Sequence, residues 1–207
     1  MSSAADWVVD TVESGGYPAL GGLILLENVF PPIPSELILP LAGFSVGRGD
    51  MVFVLAVLAA TIGSVVGALI LYGAARAGGR PLIYRFGPKV RLSHKDLDRA
   101  DAWFDRYGVW FVLFGRLIPG VRSLVSVPAG LSEMPLAWFV ALTAIGSAVW
   151  NALLIGIGRA LGENWDELAA YIGPISTFAL IGMLAGMLAL AIWLLRRGRE
   201  PQTPALS

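Results

Sequence analysis

The chain holds no cysteine among its 207 residues, so disulfides and thiol chemistry are excluded. It holds one histidine, His94, which leaves little room for a His-based metal site; neither a metal nor a cofactor is expected. Charge is scarce too. Asp, Glu, Lys and Arg make up 14% of the chain, against about 25% in soluble domains. The formal net charge is zero, which argues against a nucleic-acid surface. The opening MSSAADWVVDTVESGG carries no Lys or Arg and lacks the basic n-region of a signal peptide, so no cleaved leader is expected. What fills the sequence instead is apolar: 56% hydrophobic residues and a mean hydropathy of +0.71. That is the composition of an integral membrane protein.

Three segments are long enough to cross a bilayer: 52–72 without a charge, 136–158 interrupted only by Asn151, and 174–195, also uncharged. A helix of about 20 residues covers a hydrocarbon core of about 30 Å. Two further apolar stretches are shorter and broken. Residues 18–30 and 37–46 flank the knot Pro31, Pro32 and Pro34, and residues 109–118 and 121–131 flank Pro119 and Gly120. Apolar runs of that length are more often re-entrant or interfacial than spanning. Helix–break–helix hairpins at 18–46 and 109–131 are therefore expected, either buried in protein or lining a wet cavity.

Residues 74–108 carry eight Lys/Arg, and the tail 196–207 carries three, Arg196, Arg197 and Arg199. The positive-inside rule puts both in the cytoplasm. Three crossings and two re-entrant hairpins then place the N-terminal segment 1–16 outside; a full crossing by 17–30 places it inside. Within the 74–108 loop, SHKDLDRADAWFDRYG reads as a short helix with Ser93 and Asp96 as a capping box. Leu97, Ala100, Trp103, Phe104 and Tyr107 share one of its faces, which rests on lipid or on the protein itself. Trp138, Trp165 and Trp193 stand near span ends, as interfacial anchors do. The small-xxx-small patterns GSVVG (63–67) and GMLAG (182–186) are packing motifs.

The two halves repeat. Pro32 to LAGF (41–44) matches Pro119 to PAGL (128–131) at an offset of 87. From IGS at 62–64 and at 145–147 the offset is 83, and it holds through Gly73/Gly156, Arg76/Arg159 and Gly79/Gly162. One crossing between two like units makes them inverted. The fold expected is all-α: two inverted repeats, each a re-entrant helical hairpin plus a transmembrane helix, with an additional C-terminal transmembrane helix, forming one membrane domain over 17–195. Inverted repeats with broken helices are the architecture of alternating-access transporters.

Four ionisable residues lie in the hairpins: Glu27 and Glu36 in the first, Arg116 and Arg122 in the second. Each intramembrane charge costs about 2.5–3.5 kcal/mol on insertion scales; the four cancel if the hairpin tips meet. Such a cluster is either a structural dock or a site, and a buried ion pair is a poor source of stability beside an apolar pair. Arg offers a fixed fork that holds phosphate bidentately, and a bend at Pro119 and Gly120 can aim both arginines at one anion. Burial favours a protonated carboxyl and a nearby Arg favours the ionised one, so Glu27 or Glu36 can switch protonation state as an anion occupies or leaves the Arg pair. Ser35, Ser123 and Ser126 are weaker candidates as donors to a headgroup. Asn151 is expected to face the bundle interior.

ENVFPPIPSE (27–36) with LAGF, followed by FGRLIPGVR (114–122) with PAGL, resembles the DedA family, also called the SNARE-associated or VTT-domain family, over roughly residues 20–160. The resemblance implies a bacterial inner-membrane protein with two opposed re-entrant hairpins that moves lipid carriers, notably undecaprenyl phosphate, on the proton motive force. It implies that the family's essential acids fall on Glu27 and Glu36 and its essential arginines on Arg116 and Arg122. Eukaryotic relatives resemble phospholipid scramblases, so the lipid phosphate is either undecaprenyl phosphate or a phospholipid, with protons and the membrane as the other partners; an oligomer is compatible. Rival functions are a proton-coupled exporter of small solutes, which the same Glu/Arg site would serve, and a purely structural role. An intramembrane enzyme is disfavoured: zinc proteases and lipid phosphatases need a His at the site, and aspartyl proteases need two membrane Asp.

Overall fold

A computed structural model describes residues 4–30, 35–79, 94–119 and 121–161. The expected span 174–195, the tail 196–207, Pro31, Pro32, Pro34, Gly120, Ser93, Trp165 and Trp193 lie outside the described residues. All regular structure among the described residues is helical.

Helix α1 (Ala4–Val29) breaks at Gly16, whose φ of 59° and ψ of −142° only glycine adopts without strain. Pro18 follows within the same helix and removes a further backbone donor, so the stretch after the kink forms a separate arm. Helix α2 (Ser35–Arg48) is stopped by Gly49 at φ 87°. Gly49 N–H donates to Val46 O (3.2 Å) and Asp50 N–H to Ser45 O (3.0 Å), which serves the last carbonyls of the helix. Helix α3 (Phe53–Ala74) continues into a π-helical turn, Ala75–Gly79.

Helix α4 (His94–Gly115) runs seven residues past the boundary expected at Gly108. A mid-helix glycine costs only about 1 kcal/mol against alanine, and aromatic packing bridges it. Phe111 stands edge-on to Trp103 (5.5 Å) and to Phe104 (6.2 Å). The amphipathic helix and the first arm of the second hairpin are thus one element. After the turn at Arg116–Pro119 come α5 (Val121–Leu124), α6 (Ser126–Leu131) and α7 (Leu136–Leu161).

Two helical stretches, Phe53–Gly79 and Leu136–Leu161, are long and apolar enough to cross a membrane. Their faces are sorted for lipid. Apart from Tyr72 near its end, the interior of α3 is Ala56, Ala60, Gly63, Ser64, Gly67 and Ala68, whereas Val54, Leu58, Ile62, Val66 and Ile70 point outward. A water-soluble domain would bury its branched residues and would not expose a continuous apolar stripe. Small inside and large outside is the order that lets membrane helices approach closely.

α3 and α7 run antiparallel. Thr61 meets Asn151 (3.2 Å), and further along α3 Tyr72 stacks on Phe139 (4.5 Å between ring centroids), further back along α7. The second arms are exchanged between the halves: α2 packs on α7, and α6 packs on α3 and its π-turn. Gly43 in α2 lies against Ile155, Gly158 and Arg159, and Gly130 in α6 lies against Tyr72, Ala75 and Arg76. The offset of 87 carries Gly43 to Gly130, and the offset of 83 carries Tyr72, Ala75 and Arg76 to Ile155, Gly158 and Arg159. Residues that correspond at these offsets thus make corresponding contacts, and at both glycines backbone occupies the place of a Cβ.

Candidate functional site

Two polar side chains end the first arm. Glu27 and Asn28 occupy the last turn of α1 and are buried, 6% and 1% exposed. They are held there because Gly63 and Gly67 of α3 admit the α1 backbone: Gly63 packs on Gly21 O, and a Cβ at Gly67 would stand 2.7 Å from Asn28 Cβ. Asn28 donates from Nδ2 to Ile24 O (3.3 Å), which leaves its Oδ1 turned toward the second hairpin.

The second hairpin supplies the cations. The α4 ladder reaches Arg116, whose N–H donates to Val112 O (3.3 Å). The chain then turns through Leu117 N–H to Phe114 O (2.9 Å) and resumes with Arg122 N–H to Ile118 O (3.2 Å). This turn, which includes Pro119, brings both arginines to the same buried region. Arg122 donates through Nη2 to Glu27 Oε2, an ion pair between the hairpins. Ser123 donates to Asn28 Oδ1 (3.2 Å) beside it. Arg116 donates from Nη2 to Ser126 Oγ (2.8 Å), and its guanidinium lies 5.8 Å from the Phe139 ring centroid. Arg116 is 1% exposed, yet its Nε has no hydrogen-bond partner among the described residues.

The four hairpin charges do not have equal places. Glu27, Arg116 and Arg122 form the buried centre. Glu36 stands half-buried on the first turn of α2, where a carboxylate is favoured by the helix N-terminus, and its charge acts on Glu27. Arg116 and Arg122 repel one another, and Glu27 offsets that repulsion. An anion with two acceptor oxygens would answer the same repulsion, and Arg116 Nε is a donor still to be satisfied. The buried centre thus has donors and positive charge suited to an anion. Asn28 joins the site without being among the residues expected from the sequence. Its signal was present, an amide beside a carboxylate in an apolar run, but its pairing with Ser123 is a tertiary contact. The Phe139 ring over Arg116 carried no sequence signal.

The sequence model of a family described as the VTT domain matches residues 33–160. A protein of Staphylococcus aureus named undecaprenyl phosphate transporter A is 36% identical, with 89% of this chain and 93% of the relative covered. The Bacillus subtilis protein of the same name is 31% identical, covering 87% and 89%. A Lactococcus lactis relative named alkaline phosphatase-like protein is 39% identical, covering 86% of each. No solved structure matches the chain.

Proposed function

The chain belongs to the VTT-domain family, and on that premise we propose that it is a transporter carrying a phosphate-bearing lipid, undecaprenyl phosphate first among them, across the bacterial inner membrane at the expense of the proton gradient. The observation that carries the reading is the buried Arg122–Glu27 pair between the two hairpins, with Arg116 beside it. An ion pair of this kind adds little stability over apolar packing, but it is a suitable lock for an anionic headgroup.

In this reading the halves are inverted repeats, each with a re-entrant hairpin. The antiparallel run of α3 and α7 and the matched contacts of Gly43 and Gly130 support it. A lipid phosphate enters between the hairpins and takes Arg122 and Arg116 in a forked grip, with Ser123 as an added donor. Glu27 is displaced. An unpaired carboxylate at that depth is costly as an anion, so it takes up a proton, with Glu36 nearby as the second acid. Rocking of one repeat against the other carries the headgroup to the cytoplasmic side, where headgroup and proton leave and the Arg122–Glu27 pair re-forms.

The test is binding of purified protein to undecaprenyl phosphate, phosphatidylglycerol and a small organic cation, with release of inorganic phosphate followed in parallel. Preference for the polyprenyl phosphate, lost in Arg122→Ala and Arg116→Ala, is expected. Preference for the glycerophospholipid makes the protein a scramblase, and preference for the cation makes it a solute exporter. Inorganic phosphate formed at a rate that depends on Ser126 makes it the hydrolase that the Lactococcus lactis name suggests.

A further inference from the structure

Beyond the headgroup site, the crossing of the two spanning helices carries polar groups that the lipid grip does not use. Thr143, Ser147 and Asn151 recur every fourth residue on one face of α7, each at most 4% exposed. Four residues of helix rise about 6 Å, so they form a file along the seam. α3 faces them with Thr61 and Ser64: Asn151 Nδ2 donates to Thr61 Oγ1 (3.2 Å). Three atoms of this file, Ser64 Oγ, Thr143 Oγ1 and Asn151 Oδ1, are buried with no hydrogen-bond partner among the described residues.

Hydroxyls in membrane helices usually return to their own backbone. Ser45 does so, donating to Leu41 O (3.4 Å), but Ser64 and Thr143 do not. A buried polar group left unmatched costs about 1–3 kcal/mol, and buried polar groups that lack a protein partner are met by ordered water. The file is continuous with the site. Gly146, between Thr143 and Ser147, lies against Arg116, where a Cβ would stand 2.8 Å from Arg116 Cβ. Gly67, one turn beyond Ser64, lies against Asn28. Arg116 Nε, itself unmatched, stands at the site end of the file.

We infer that the α3–α7 seam is a water-filled track that delivers protons from the Thr61–Asn151 contact, about two turns into α3, to Glu27. Hydroxyl groups and waters both accept and donate, so a proton entering beside Thr61, whose Oγ1 is oriented by Asn151, displaces one at each hydroxyl or water and ends on a Glu27 carboxylate oxygen. The charged groups around that carboxylate are Arg122 from α5, Arg116 from the end of α4 and Glu36 from α2. Arg122 is bonded to Glu27, and Arg116 acts on it electrostatically; when a lipid phosphate takes both arginines, the proton reaches the freed carboxylate and completes the exchange. The inference rests on the transport reading for the destination of the proton, but not for the presence of water.

Silver ion reacts with thiolates along narrow wet paths, and a thiol must ionise in water to react. In the full-length, naturally Cys-free chain in proteoliposomes, Ser64→Cys, Thr143→Cys and Ser147→Cys should lose subsequent maleimide labelling in denaturant after silver treatment. They should react about tenfold or more faster than Ile62→Cys and Ile145→Cys, which face lipid at the same depth with 63% and 56% exposure. Equal rates mean a dry seam and end the proposal. Thr143→Val with Ser147→Ala should bind undecaprenyl phosphate as the unaltered protein does while losing the acceleration by an imposed pH gradient. A retained gradient response places the proton route elsewhere and overturns the track. An unaltered protein that binds the lipid but ignores the gradient overturns proton delivery and the coupled transport reading together, whatever the silver result; a wet seam with a response abolished in the double variant supports both.

Discussion

Removing the Arg122 side chain should destabilise the protein, and removing its partner as well should restore part of the loss. Arg122 and Glu27 are 4% and 6% exposed and bonded to each other. Arg122→Ala leaves Glu27 without its direct counter-charge in a low-dielectric interior, and breaking a buried pair in this way costs about 3–5 kcal/mol. Arg116 is still within electrostatic range of Glu27, which favours the lower half of that span. At about 2–4 °C per kcal/mol for a chain of this size, the loss is about 6–20 °C in Tm. In Glu27→Gln/Arg122→Ala nothing charged is orphaned at Glu27, so the double variant should melt above Arg122→Ala alone, with a coupling of about 1–3 kcal/mol. The deficit of Arg122→Ala should also shrink at acid pH, because an orphaned carboxyl that is already protonated has no unpaired charge to bury. The assay is thermal unfolding in one detergent or nanodisc at several pH values. Additive losses with no pH dependence would show that Glu27 and Arg122 do not share a buried pair.

Further outcomes follow from the same contacts. Arg116→Lys keeps the charge but loses the planar fork that reaches Ser126 and lies over Phe139; lipid-phosphate affinity should fall about tenfold or more, and equal affinity would remove Arg116 from the grip. Gly43→Leu and Gly130→Leu should each lower Tm by several degrees, because backbone of the opposing helix occupies the Cβ position at both; a tolerated Gly130→Leu alone would break the contact repeat. Arg106→Cys and Asp50→Cys stand in exposed positions on α4 and on the α2–α3 turn. An impermeant thiol reagent outside intact cells should label the second and spare the first, and the reverse pattern would invert the orientation.

Much of this was legible in the sequence because lipid makes charge and polarity conspicuous. Glu27, Arg116 and Arg122 stand out against apolar neighbours, and the energetic cost of each one pointed to a meeting of the hairpins. The spans at 52–72 and 136–158 were visible as uncharged or nearly uncharged runs, and α3 and α7 cover them. The end of the amphipathic helix was not legible: Gly108 reads locally as a stop, and only the packing of Phe104 and Trp103 on Phe111 across it decides otherwise. The exchange of α2 and α6 between halves was also hidden. Gly43 and Gly130 sit in ordinary small-residue motifs, and which helix they touch depends on contacts more than 50 residues away. Glu36 and Glu27 look alike in sequence; helix α2 starts at Ser35 and holds Glu36 on its first turn, while the last turn of α1 delivers Glu27 to Arg122.

The most direct test of the account is transport of undecaprenyl phosphate in proteoliposomes under an imposed pH gradient, comparing the unaltered chain with Glu27→Gln and Arg122→Ala. The account predicts that acidifying the side from which the headgroup enters accelerates transport by the unaltered protein, that Glu27→Gln abolishes the acceleration, and that Arg122→Ala abolishes transport. Transport that proceeds equally with and without the gradient, and survives both substitutions, would contradict it.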